Sequence, residues 1–129
     1  MRSGSQQSVQ GLYNKAVVQE GDIIQVHTIS LRREGKTAIL NLQTTTSDKA
    51  AKVGFSSITL QQYNSGKWVD YKEWKNQYSS GKDYQFTMSV PIVSGYNYRI
   101  ICNHYAENPR FLWLTDTETF YNETKGLHF

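Results

Sequence analysis

The single cysteine of the chain, Cys102, stands two residues before His104, one of three histidines. A thiol beside an imidazole is the raw material of a nucleophile with its base. On a strand, however, residues two apart project side by side from one face rather than toward each other. A catalytic cysteine also needs a depressed pKa and a third group that orients the base, and it usually sits at a helix start. None of these surrounds "YRIICNHYA" (98–106). Cys102 is therefore expected to behave as a small buried hydrophobe, sharing a face with Tyr96, Tyr98 and Ile100. His104 is expected near the strand end with a hydrogen-bond partner. No catalytic residue is assigned, and the chain is read as non-enzymatic.

Metal chemistry finds no better footing. His27, His104, His128 and Cys102 do not fall into the C-x-x-C, H-x-H or H-E-x-x-H spacings that give zinc its three or four ligands. Asp116 and Glu118 in "TDTETF" share a strand face, but calcium prefers carboxylates in a loop with backbone carbonyls; they read as two solvated acids. Asp70 with Glu73, or Asp116 with Glu118, lack the opposition across a cleft that glycoside hydrolysis requires. No G-x-S-x-G elbow is present. No metal and no cofactor are implied. Asn122-Glu123-Thr124 has the form of a glycosylation sequon.

The aromatic residues carry more information. Tyr63, Trp68, Tyr71, Trp74 and Tyr78 fall within sixteen residues. Unbroken alternation would set Trp68, Asp70, Lys72 and Trp74 on one face, and Val69, Tyr71 and Glu73 on the other. Rings beside polar groups can stack on sugar faces while their neighbours bond hydroxyls; rings between two layers are core. A second group, Phe111 and Trp113 in "RFLWL", is apolar on both strand faces, which suits burial or a partner surface. The candidate ligand-binding residues are thus Tyr63, Trp68, Tyr71, Trp74, Phe111 and Trp113. Tyr98, beginning a strand shortly after Pro91, has the placement of a tyrosine corner.

Strands must position these residues. Tyr, Thr, Val and Ile are plentiful while Ala and Leu are sparse, a balance that favours β structure. Aromatic residues make up 13% of the 129, enough to build a core although only 38% of residues are apolar. Apolar or alternating runs of about ten residues recur between turn signals: 22–33, 37–46, 52–64, 67–74, 84–91, 96–106 and 110–122, with a short strand expected at 16–19. The first run slips phase, with Ile24 and Val26 on one parity and Ile29 and Leu31 on the other, which predicts a bulge near His27. Turns are expected at 34–36, 47–50, 64–66, 78–83, 94–95 and 107–109. No run carries helical periodicity. The expectation is an all-β chain: an antiparallel two-sheet sandwich of seven to eight strands, immunoglobulin-like or fibronectin-like. Residues 16–129 form one domain, and 1–15 a flexible, partly tag-like arm.

"VGFSSITLQQYNSGKWVDYKEW", "VSGYNYRIICNHYA" and "TDTETFY", spread over 53–121, resemble a family of small secreted proteins of Gram-positive, largely clostridial, bacteria. That family is catalogued only as a domain of unknown function. The resemblance implies export, to the medium or the cell surface, and an all-β fold; it implies no activity. The net charge of +3 is scattered, against the concentrated basic face of nucleic-acid binders, so no nucleic-acid partner is expected. No apolar run is long enough to span a bilayer as a helix. The function expected is a non-catalytic secreted or surface binding module, with a protein or glycan partner. An extracellular carbohydrate-binding domain using exposed Trp and Tyr is one alternative; a structural or assembly protein, homo-oligomeric, is another; a hydrolase using Cys102 and His104 comes last.

Overall fold

The computed structural model describes residues 6–10, 23–111 and 114–129. Seven strands, β1 (Gln6–Gln10), β2 (Ile24–Glu34), β3 (Thr37–Asn64), β4 (Lys67–Pro91), β5 (Asn97–Phe111), β6 (Leu114–Glu123) and β7 (Leu127–His128), account for nearly all of them, and no helix occurs among the described residues. All pairings are antiparallel and join the strands into one sheet, in the order β1-β2-β3-β5-β6, with β4 on β3 and β7 on β5. The expected strand at 16–19 lies outside the described residues. Gln6–Gln10, within the segment expected to be an arm, pairs with Ser30 to Glu34 of β2.

Local sequence explains the tight reversals. Asn64 pairs with Lys67, leaving Ser65 and Gly66 as a two-residue loop with positive φ at both, 55° and 82°. That is the backbone whose twist matches two antiparallel strands, and Gly66 adopts it without steric cost. Ser65 adopts it with its hydroxyl bonded to Asn64 Oδ1 at 3.0 Å. β2 carries a bulge, but between Ile24 and Val26, ahead of the expected position near His27, which pairs regularly with Thr44. It turns His27, Ile29 and Leu31 to the buried side.

Three expected turns are absent. The 47–50 and 78–83 segments do not reverse the chain; β3 and β4 continue through them as strands of 28 and 25 residues. The segments lie opposite each other, with Thr45 paired to Asp83, Ala50 to Gly81 and Val53 to Ser79. β3 advances five residues from Thr45 to Ala50 while β4 retreats two, so the surplus bends the pair into a corner. Ser, Asp, Lys and Gly serve a bulged corner as readily as a hairpin turn. The turn expected at 107–109 is also overridden: Glu107, Asn108 and Pro109 pair with Thr117, Asp116 and Thr115, and the chain reverses between Phe111 and Leu114. Pro109 is tolerated near the strand end, where the ladder is already irregular.

The corner folds the sheet on itself as a partly curled half-barrel. One half comprises β1, β2, the first part of β3 and the last part of β4; the other comprises the rest of β3 and β4 with β5, β6 and β7. Their inner faces share one core: Ile29, Leu31, Leu40, Leu42, Phe86 and Val90 from the first, and Phe55, Ile58, Leu60, Tyr98, Ile100 and Cys102 from the second. The expected alternations through Ala38–Leu40–Leu42–Thr44 and through Phe86 and Val90 hold, with Tyr84 and Met88 half-buried against the same core. The curl closes where β2 begins. There Ile23 and Ile24 pack on Ala106 and Phe120, and both of their backbone N–H groups donate to the Glu118 carboxylate at 3.0 and 2.8 Å. Glu118 is accordingly a buried-side clamp rather than a solvated acid.

Tyr98 is tied to the segment just before its strand. Its hydroxyl donates to the Val93 carbonyl and accepts from the Val93 N–H, both at 3.1 Å, and from Gln62 Nε2 at 2.9 Å. Phe129 packs edge-on against the Tyr98 ring, 5.2 Å between centroids.

Candidate functional site

Cys102 and His104 do lie on one strand face, both turned into the core at 1% and 0% exposure. Burial pushes the Cys102 thiol up, far from the thiolate range. His104 is lodged between strands. The lone hydroxyl proton of Thr44 goes to the Gly54 carbonyl at 2.9 Å, so the Thr44 oxygen accepts from His104 Nδ1–H at 2.8 Å. The other ring nitrogen then accepts from the Asn122 amide at 3.4 Å. The ring is neutral and satisfied on both sides, with Phe55 at 4.8 Å and His27 at 5.1 Å between centroids. Burial, and then the neighbouring His27, lower its pKa to about 3. His27, stacked on Phe120, is lowered by burial too. Asn122, at 1% exposure, does not offer its sequon amide to solvent.

The candidate aromatic residues separate onto two sides of the sheet. Gln61 pairs with Asp70 but Leu60 pairs with Lys72, so Tyr71 is an extra residue in β4 and the alternation resets there. Trp74 and Tyr71 therefore both turn inward. Trp74 meets Phe86 edge-on at 5.3 Å, and Tyr71 meets Tyr98 at 5.3 Å with its hydroxyl donating to the Pro91 carbonyl. The face expected to carry Trp68 and Trp74 together does not form, because the bulge lets two more rings cover the core, where each removes a large apolar area from water. Trp68 and Tyr63, paired across the 65–66 turn, stay outside and meet edge-to-face at 5.2 Å. Phe111 pairs its backbone with Leu114, its side chain lying outside the described residues along with Trp113.

What surrounds Trp68 and Tyr63 is a line of polar side chains crossing four strands. Gln61 Nε2 on β3 donates to Asp70 on β4 at 3.0 Å, and Gln61 Oε1 accepts from Arg99 Nε on β5 at 2.8 Å. Arg99 reaches Glu123 on β6 at 3.9 Å, and Glu123 accepts from the Tyr121 hydroxyl at 2.9 Å. The Arg99 guanidinium lies 4.4 Å over the Trp68 ring, a cation–π contact that fixes its plane. Gln61, 9% exposed beneath its neighbours, anchors the line. Tyr63 and Tyr121 border it, 42% and 52% exposed. Burial, the hydrogen bond to Glu123 and that carboxylate's charge push the Tyr121 phenol up to about 12, so it stays a donor.

Sequence reasoning about rings alone missed Gln61, Asp70, Arg99, Glu123 and Tyr121 as a group. Arg99 was detectable, since it alternates with the apolar Tyr98 and Ile100 and so must point outward; the cross-strand register that lines up the other four was not. Farther along the same face, Tyr78 and Tyr105 flank Gly54 with centroids 5.3 Å apart, and Lys52 lies over Tyr78 at 5.3 Å. On the other half, a shallow open depression is lined by Thr28, Ser30, Asn41, Gln43 and Gln85.

Among the described residues no group of three or more His, Cys, Asp or Glu side chains could hold a metal ion. No helix there is long and apolar enough to cross a membrane. No family model, no curated protein and no solved structure matches the chain.

Proposed function

We propose that the protein is a non-catalytic binding module, secreted or displayed at the cell surface, that takes its ligand on the outward face built around Arg99. The observation that carries this reading is the tied line Asp70–Gln61–Arg99–Glu123, with the guanidinium stacked on Trp68. Its one ion pair, Arg99–Glu123, is part-exposed and long at 3.9 Å, so it adds little to fold stability. A line of side chains held in fixed geometry does suit recognition, since the entropy of ordering them is spent before a ligand arrives. The non-catalytic reading is supported by the burial of Cys102 and the neutral, fully bonded state of His104. Export is supported by the resemblance to small secreted bacterial proteins. An immunoglobulin-like, two-layer reading of the curled sheet is supported by the shared core and by the Tyr98 corner.

An array carrying glycans, cell-wall fragments and extracellular proteins, probed with wild type and with Arg99→Glu, tests the assignment. Wild type is expected to bind one class, and the variant to lose that binding while keeping the wild-type circular dichroism spectrum. Undiminished binding by Arg99→Glu removes this face as the site.

A further inference from the structure

We propose that the outward line takes an uncharged polysaccharide, gripped through its hydroxyl groups. This rests on the assignment of the Arg99 face as the binding surface and adds the chemical class of the ligand.

The order of groups along the line selects that class. From β4 to β6 it runs from an acceptor, Asp70, over the buried Gln61 amide that holds it, to the Arg99 guanidinium as donor, to a second acceptor, Glu123, and then to the Tyr121 hydroxyl, which does both. A hydroxyl also both donates and accepts, so a row of hydroxyls satisfies every position in turn. A phosphate, sulfate or uronate drawn to Arg99 would meet carboxylates on both sides of it. An ammonium drawn to Asp70 or Glu123 would meet the guanidinium. Alternation of charge at neighbouring positions thus discriminates against ions of either sign and leaves neutral polyols favoured.

The guanidinium is prepared for such a ligand. Its Nε is committed to Gln61 and its plane to Trp68, while its contact to Glu123 is long, 3.9 Å, so its terminal N–H groups are only loosely engaged on a part-exposed side chain. Tyr63 and Tyr121 border the line with exposed rings, whose negative π-faces suit the electropositive C–H side of a sugar ring. The line crosses three strand spacings, about 14 Å. A strip of that length fits successive units along a chain better than a single sugar.

The test is retention on insoluble neutral polymers (cellulose, xylan, mannan and a β-1,3-glucan) beside two polyanions, polygalacturonate and dextran sulfate. Soluble oligosaccharides of any polymer that binds are then titrated while the Arg99 Nε–H and Gln61 amide resonances are followed. Wild type is expected to be retained by at least one neutral polymer and by neither polyanion. Tyr121→Ala and Tyr63→Ala, both at exposed positions, are expected to weaken that retention at least tenfold with an unchanged melting temperature, and oligosaccharide is expected to shift both resonances. Retention by the polyanions alone, by no neutral polymer, or with full strength in both tyrosine variants overturns the polysaccharide assignment. If Arg99→Glu still abolishes binding to an arrayed protein, the face survives and only the ligand class falls. If Arg99→Glu changes no binding at all, both fall together.

Discussion

His104 shows how far one side chain can tie acidity to folding. Its ring is neutral because each of its nitrogens already has a partner that fits the neutral form: Thr44 accepts from one and Asn122 donates to the other. Unfolded, the imidazole takes a proton near pH 6.5; folded, it resists to about pH 3. Between those values the unfolded chain binds more protons, so stability is complete above about pH 6.5 and declines as pH falls toward 3. The loss accumulates to something on the order of 5 kcal/mol, since each tenfold change in proton affinity is worth about 1.4 kcal/mol. His27, lowered in the same direction, adds to it. Urea denaturation at pH 7 and pH 4.5 is expected to show a large drop in midpoint, and His104→Gln, which cannot titrate, a much flatter profile with lower stability at pH 7. Equal slopes for the two proteins would show that the acid response comes from elsewhere. Cys102, two residues away, is expected to resist thiol reagents at pH 8 until denaturant is added; labelling at the rate of a free thiol would contradict its burial.

At the scale of elements, legibility followed the reach of each signal. Period-two alternation is local, so the inward faces through Leu40 and Leu42, and through Phe86 and Val90, could be read directly. The corner could not. Its Ser, Asp, Lys and Gly residues spell a turn in each strand separately, and only the pairing of Ala50 with Gly81 makes them one bend. The Tyr71 bulge is similarly silent: a one-residue surplus has no signature of its own, yet it sends Trp74 inward and leaves Trp68 out. Hence Tyr71 and Trp74, two of the four aromatic candidates whose side chains are described, belong to the core, and the polar line across four strands waited on the register. Gly54 gives this corner its sharpest constraint. A Cβ there would collide with the Gln77 backbone carbonyl, while the Tyr78 and Tyr105 rings flank the bare backbone from neighbouring strands. Gly54→Ala is expected to cost about 3 kcal/mol, the upper end of overpacking costs, read from chemical denaturation. A cost under about 0.5 kcal/mol, the range of ordinary surface changes, would mean that the corner yields easily. Ser65→Asn at the far turn is expected to do the opposite and stabilise by about 0.5–1 kcal/mol, because asparagine tolerates the left-handed backbone better than serine.

For the whole molecule, the curl depends on a seam rather than on a closed ladder. Where β2 begins, two amide donors end on one carboxylate of β6, backed by Ile23, Ile24, Ala106 and Phe120. Removing that carboxylate leaves two part-buried N–H groups without their acceptor. Glu118→Ala is therefore expected to destabilise the protein by about 2–3 kcal/mol, the range for hydrogen bonds to a charged group lost from an enclosed site. It should also speed hydrogen exchange at Ile23 and Ile24 before it touches Leu40 or Leu60, because the seam opens locally while the shared core persists. Uniform acceleration across both halves would instead mean that the seam and core melt as one unit.

The bulged corner has a further consequence, for how the chain finds its alignment. Two strands of 28 and 25 residues, alternating with period two, could slide past each other by two positions and keep every apolar side chain on its proper face. Such a frame-shifted ladder would be nearly as greasy inside and as polar outside as the native one, and would trap the chain during refolding. Unequal surpluses at Thr45–Ala50, Ala50–Val53 and Leu60–Gln61 work like the wards of a key. A slide of two positions puts each irregularity against a regular stretch of the partner, so the errors mount at three places together and the misaligned ladder unzips instead of persisting.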